Sequence, residues 1–203
     1  RNGRQLASYS LGGTTYSYEY DVNGLRTRKT NADGGYTEYY IIDGLPVAEQ
    51  RHYDSGAEWY TMRYLYDESN NPVGFGMQYP TETKWENYYF AKNVQGDIVA
   101  IYRYDYNAST QKPYGTLIAT YEYDPWGNPQ GIKDASGKTI AQTANHVATY
   151  NPFRYRGYRY DGDTGLYYLQ SRYYDPMTCR FVNADRYAST GQGLAGCNMF
   201  AYC

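Results

Sequence analysis

No run of about 18 consecutive apolar residues occurs in this 203-residue chain, which excludes a membrane-spanning helix. A basic start followed by an apolar stretch is also lacking, so no signal peptide is expected within it. Cysteine is scarce: Cys179, Cys197 and Cys203 form no C-x-x-C pair, which argues against a disulfide framework or a zinc site. Small buried hydrophobes are the simpler reading, although the spacing leaves a bridge between Cys179 and Cys197 open. Charge of one sign is lacking too. With Lys+Arg 19 against Asp+Glu 21 the net charge is −2, which argues against nucleic-acid binding by bulk electrostatics. The two histidines, His52 and His146, are isolated from any nucleophile motif, so no catalytic triad is supported. Convincing helical spacing is missing throughout.

Tyrosine is what the chain has instead. Its 30 copies lift the hydrophobic fraction to 41%, too high for a disordered chain, and call for a core of aromatic bodies with polar tips. The tyrosines recur in a pattern, Y-x-Y-D. It stands at Tyr18-Glu19-Tyr20-Asp21, Tyr64-Leu65-Tyr66-Asp67, Tyr102-Arg103-Tyr104-Asp105, Tyr121-Glu122-Tyr123-Asp124 and Tyr158-Arg159-Tyr160-Asp161. Degenerate copies such as Asn87-Tyr88-Tyr89-Phe90 fill the longer gaps, giving a period of roughly twenty residues, enough for two short strands and a turn.

Each copy has a physical logic. Alternation puts Tyr16, Tyr18 and Tyr20 on one face of a strand. The Asp then opens a turn, as in Asp21-Val22-Asn23-Gly24 and Asp124-Pro125-Trp126-Gly127, because its carboxylate bonds to the backbone two residues on and Gly accepts positive φ. The reading is an all-β chain of antiparallel hairpin repeats forming a coiled, curved sheet. A propeller fits less well, since blades need a period near forty. Tyr16, Tyr18, Tyr20, Tyr102, Tyr104, Tyr121, Tyr123, Phe153 and Tyr155 are expected to be structural, lining the inner face. In Phe153-Arg154-Tyr155-Arg156-Gly157-Tyr158-Arg159-Tyr160 the aromatic phase shifts at Gly157, where a β-bulge would keep all four rings on one face. Residues 1–130 read as hairpin repeats, 131–150 as a variable loop, and 151–203 as a last segment continuous with the same sheet.

These repeats resemble the YD-repeat, or Rhs, family. The stretch Asn151-Pro152-Phe153-Arg154-Tyr155-Arg156-Gly157, then Asp163-Thr164-Gly165-Leu166-Tyr167-Tyr168, Ser171-Arg172-Tyr173-Tyr174-Asp175-Pro176 and Arg180-Phe181-Val182-Asn183-Ala184-Asp185 is similar to the Rhs repeat-associated core domain, in the manner of Gram-positive members. The resemblance implies a hollow β-shell that encloses or presents a variable C-terminal effector, often a toxin, on a secreted or surface protein. The implied partners are flanking YD repeats and that effector. In several relatives the core domain is an aspartyl autoprotease. Here Asp185 matches its first aspartate and Arg180 the nearby arginine, while Cys179 replaces the usual glycine and the second aspartate is not found. One carboxylate is half a proton-sharing dyad, so a non-enzymatic segment, truncated before any toxin domain, is expected.

Other motifs yield less. Gly191-Gln192-Gly193-Leu194-Ala195-Gly196 matches G-x-G-x-x-G without the strand and helix a dinucleotide needs. Asp161-Gly162-Asp163-Thr164-Gly165 reads as a hydrogen-bonded turn rather than a calcium loop. No cofactor or metal is expected. Exposed tyrosines beside Asp, Asn and Arg keep cell-surface glycan binding as the alternative, and Trp85-Glu86-Asn87-Tyr88-Tyr89-Phe90 resembles cell-wall-binding repeats locally.

Overall fold

A computed structural model describes residues 5–184, 200 and 202. Eleven strands follow one another in a single antiparallel meander: β1 (Ser8–Leu11), β2 (Thr14–Tyr20), β3 (Arg26–Thr30), β4 (Tyr36–Ile42), β5 (Leu45–His52), β6 (Glu58–Tyr66), β7 (Pro72–Gln78), β8 (Glu86–Lys92), β9 (Ile98–Asn107), β10 (Lys112–Tyr123) and β11 (Pro129–Asp134). Each strand pairs with its neighbours in sequence, and the sheet is not closed on itself. The all-β expectation holds.

One turn geometry explains the Asp of three Y-x-Y-D copies, Asp21, Asp67 and Asp124, whereas Asp105 lies within β9, its carboxylate accepting from Arg103 and Thr116, and Asp161 opens a turn of a different bonding pattern. At Asp21 the backbone N–H bonds to the Leu25 carbonyl (2.9 Å) and the Gly24 N–H returns to the Asp21 carbonyl (3.0 Å). The Asp21 carboxylate accepts from the amides of Asn23 (2.9 Å) and Leu25 (2.8 Å). Asp67, Asn93, Asp124 and Asp134 repeat both side-chain bonds. The fourth residue is left-handed, with φ of 86° at Gly24 and 88° at Gly127; Asn70 takes the same place at 62°. Register shifts beside several of these turns, as between Glu19 and Tyr20 or Glu122 and Tyr123, mark the bulge that such a turn brings.

The inner face carries Tyr18, Tyr39, Tyr60, Met62, Tyr64, Phe75, Tyr88, Ile98, Ile101, Tyr121 and Ile132, all buried. The chain then turns back across this face. A one-turn helix, α1 (Val147–Tyr150), is followed by a tight turn and four short strands, β12 (Arg159–Asp161), β13 (Leu166–Leu169), β14 (Arg172–Asp175) and β15 (Arg180–Phe181). They form their own four-stranded sheet. The expectation that residues 151–203 continue the first sheet is therefore corrected for the described residues. The physical reason is burial: the inner face of tyrosines needs a cover, and Ala148, Phe153, Leu166, Tyr168 and Tyr173 supply it.

Two local expectations change as well. Gly157 is not a bulge but part of a tight turn, with Arg156 at φ 54° and Gly157 at 70°. Phe153 and Tyr155 consequently pack into different clusters, one under the large sheet and one inside the small sheet. Tyr102 and Tyr104 are exposed (37% and 47%) rather than inward. The register skips Val99 on β9 and Ile118 on β10, and this resets the phase so that Ile98 and Ile101 take the inner positions. The other expected structural rings are at least partly buried against the core. Asp161 to Gly165 is a hydrogen-bonded turn, the Gly165 N–H reaching the Asp161 carbonyl at 2.8 Å.

Candidate functional site

Strand β3 reads Arg-Thr-Arg-Lys-Thr, and the sheet turns Arg26 and Lys29 of it inward. A buried cation needs a partner and hydrogen bonds to offset its lost hydration. The C-terminal segment provides them. The Arg26 guanidinium grips Asp161 with two bonds (Nη1–Oδ2 2.5 Å, Nη2–Oδ1 3.0 Å). Tyr39 and Tyr168 lie 4.7 and 4.5 Å from its central carbon, measured to ring centroids. Its backbone N–H donates to the Tyr168 hydroxyl at 2.9 Å. Lys29 pairs with Asp163 and stands 3.8 Å from Asp161. Arg159 answers in the other direction: it pairs with the buried Glu49 of β5, donates to the Tyr64 hydroxyl (2.6 Å) and lies 4.5 Å from the Tyr39 ring. Tyr39 is thus flanked by two guanidiniums that come from the two layers.

Electrostatics follow from this geometry. Burial by itself would raise the Asp161 carboxyl, but Arg26 and Lys29 hold it well below the usual carboxylate range. Burial pushes the Tyr66 and Tyr168 hydroxyls up to about 12, so both stay protonated at neutral pH, Tyr66 donating to the Pro46 carbonyl and Tyr168 accepting from Arg26. Asp161 has cations around it and is kept ionised, so it does not form a proton-sharing pair with a second carboxylate. The chemistry of this arrangement is attachment.

A second attachment lies at the opposite end of the large sheet. Three consecutive carbonyls of the turn after β10 accept from three tyrosines of the C-terminal segment: Pro125 from Tyr155 (2.9 Å), Trp126 from Tyr174 (2.9 Å) and Gly127 from Tyr167 (2.7 Å). Between the two attachments, the Arg156 N–H donates to the Asp97 carboxylate (2.9 Å) and the Ile98 N–H to the Arg154 carbonyl (3.2 Å). A cleft of about 300 Å³ remains beside the ionic cluster, lined by Lys29, Glu49, Arg51, Trp59, Tyr60, Tyr150 and Arg159 among others.

Asp185 lies outside the described residues, as do Gly191 to Gly196, Cys197 and Cys203. Arg180 is exposed on β15, opposite Asp175 in the strand register. His52 stacks on Tyr36 with ring centroids 4.5 Å apart, and His146 caps α1. Arg26, Lys29, Glu49, Arg159 and Asp161 were not singled out as a site by sequence. No spacing marks them, since Asp161 is the Asp of an ordinary Y-x-Y-D copy and Arg159 stands where other copies carry Glu19, Arg103 and Glu122. Among the described residues no group of His, Cys, Asp and Glu is placed to hold a metal ion.

No family model matches the chain. Among sequence relatives, it is 35% identical over 170 residues to the tRNA nuclease WapA of Bacillus subtilis, covering 83% of this chain and 6% of that protein. It is 26% identical over 204 residues to the probable deoxyribonuclease RhsB of Dickeya dadantii, covering 92% of this chain and 13% of the relative. Its fold matches the crystal structure of TcdB2-TccC3 with a TM-score of 0.63 at 22% identity, over 93% of this chain and 8% of the other. The Tc holotoxin pore of Photorhabdus luminescens matches at 0.64 and 20% identity, over 95% and 8%. The chain therefore spans a small fraction of each protein it resembles. Its sequence relatives include Rhs proteins and named nucleases, and its fold is one found within a Tc toxin chain.

Proposed function

We propose that this chain is a structural wall segment of an Rhs-type toxin protein, one that encloses or presents a C-terminal effector and performs no catalysis itself. The single observation that supports this most is the double attachment of the C-terminal segment across the inner face of the sheet, by buried ion pairs at one end and by three tyrosine hydroxyls at the other. In this reading the described residues 5–134 are wall, since β11 runs to Asp134, 135–150 connect, and 151–184 close the wall from within. The polypeptide beyond would be the effector, and flanking YD repeats would extend the wall. The parent would act outside the cell that makes it or at its surface. The nuclease names of relatives then belong to effector domains rather than to the shared segment.

The test uses the parent protein expressed from its full reading frame. Its C-terminal part is expected to resist added protease, and Asp161→Asn is expected to make it digestible. Digestion of the wild-type C-terminal part as fast as the free effector would remove the enclosure. Intact mass of the wild type beside Asp185→Asn tests the remaining catalytic reading: two fragments from the wild type and one from the variant would make Asp185 the first aspartate of an autoprotease, with Arg180 its neighbour.

A second reading has its own observation. Tyr89, Tyr102, Tyr104 and Tyr106 are exposed, with the Tyr89 and Tyr104 rings 6.3 Å apart. Such rings suit stacking on cell-surface glycans. Saturable binding lost in Tyr104→Ala would favour it, and no binding across a broad glycan panel would end it.

A further inference from the structure

Residues 141–150 form one side of the cleft, which Gln142, Asn145, Thr149 and Tyr150 line together with Trp59 and Tyr60. The two sides of α1 are held differently. The Ala148 carbonyl accepts from the Tyr121 hydroxyl (2.9 Å) and from Arg154 Nη2 (2.7 Å), donors that do not titrate near neutrality. At the start of the helix the Thr149 and Tyr150 amides and the Thr149 hydroxyl bond to the His146 carbonyl whatever the pH, and an imidazole lone pair adds the remaining bond: His146 Nδ1 accepts from the Ala148 N–H at 3.1 Å, with His146 in extended backbone geometry as the N-cap. A protonated ring has no lone pair at Nδ1 and would face the amide as a second donor.

The groups around the ring are few. The Asp134 carboxylate, at the end of β11, attracts an imidazolium, but burial outweighs it and keeps the ring neutral below the ordinary histidine value. The Arg154 guanidinium sits beyond α1 on the Ala148 carbonyl, and burial keeps the Tyr121 and Tyr150 hydroxyls neutral.

We propose that residues 141–150 form an acid-loosened side of the cleft, latched by the His146 imidazole acting as the N-cap of α1. The inference is independent of the enclosure role. The latch needs a neutral ring, so it holds above the ordinary histidine pKa of about 6.5 and weakens as pH falls through and below it. Loss of the cap loosens the segment that carries Tyr150, whose ring meets those of Trp59 and Tyr60 at 5.3 and 5.1 Å along the cleft.

Hydrogen exchange of the 141–151 peptide, normalised to intrinsic rates, tests this at about pH 7.5 and about pH 5.5, on either side of the histidine value. Wild type is expected to lose about fivefold protection at the lower pH, the size of a lost cap. His146→Asn keeps a capping acceptor that does not titrate, and should show equal protection at both values. His146→Asp should move the loss down to about pH 4. His52→Gln should respond as wild type does, because His52 lies elsewhere, against Tyr36. An acid response that survives in His146→Asn, or a wild type that does not respond, would overturn the proposal.

Discussion

Arg26 is 2% exposed in a strand whose neighbours bury tyrosine, and its charge is satisfied from 135 residues away in sequence. A buried pair of this kind adds little over a hydrophobic pair of the same volume, but breaking it strands a charge. Asp161→Asn and Arg26→Met are each expected to cost about 3–5 kcal/mol in urea unfolding, while the double change to apolar residues recovers part of that loss. A loss below about 1 kcal/mol in both single variants would mean that the pair does not hold the segment. Gly127 offers a contrast at the same scale. A Cβ there would lie 2.4 Å from Tyr155 Cδ1, whereas at Gly137 it would meet nothing within 4 Å, although both glycines have positive φ. Gly137→Ala should therefore cost about 1–2 kcal/mol from backbone strain alone. Gly127→Ala should cost clearly more, by a further 1–3 kcal/mol or so of overpacking. Equal losses on thermal unfolding would contradict the packing argument.

Among the elements, the two ends of the large sheet are not alike. The free edge of β11 is partly covered by the returning chain, since Lys133 bridges to Thr139 and the Ile140 N–H donates to the Ile132 carbonyl (2.8 Å). Strand β1 pairs with β2 alone and has no such cover among the described residues. An uncovered edge strand is a template for another strand. The chain by itself should therefore self-associate at tens of micromolar in sedimentation, and Ser10→Lys, which places a charge on β1, should reduce it. A stable monomer at that concentration would show that the β1 edge needs no partner.

For the molecule as a whole, pH stability follows from the buried groups. The Asp161 carboxyl is lowered in the folded chain, so its contribution is complete above the ordinary carboxylate value of 3.8 and is lost as pH falls below it. The tyrosines shift the other way. Tyr66, Tyr150 and Tyr168 are raised from 10.0 to about 12, mainly by burial, so their contribution is complete below 10 and is lost as pH rises past it. Alkaline titration should show a late, cooperative appearance of tyrosinate that coincides with loss of β circular dichroism. A gradual titration of every tyrosine near pH 10 with the fold intact would contradict burial of the aromatic core.

What is local was legible in the residues. The period of two placed Tyr16, Tyr18 and Tyr20 on one face, and Asp with Gly three residues on determined the turn, because both act within a few residues of the backbone. Legibility ended where the answer depends on residues far apart. One extra residue at Val99 turns Tyr102 and Tyr104 outward, and no spacing within β9 records it, because a bulge belongs to a strand and its partner together. The pairing of Arg26 with Asp161 and of Glu49 with Arg159 was equally hidden, since a charge on a strand looks solvated until its partner is known. That the last strands leave the meander and cover its inner face follows from packing in three dimensions, because a row of half-polar tyrosine rings can be buried only by a second layer.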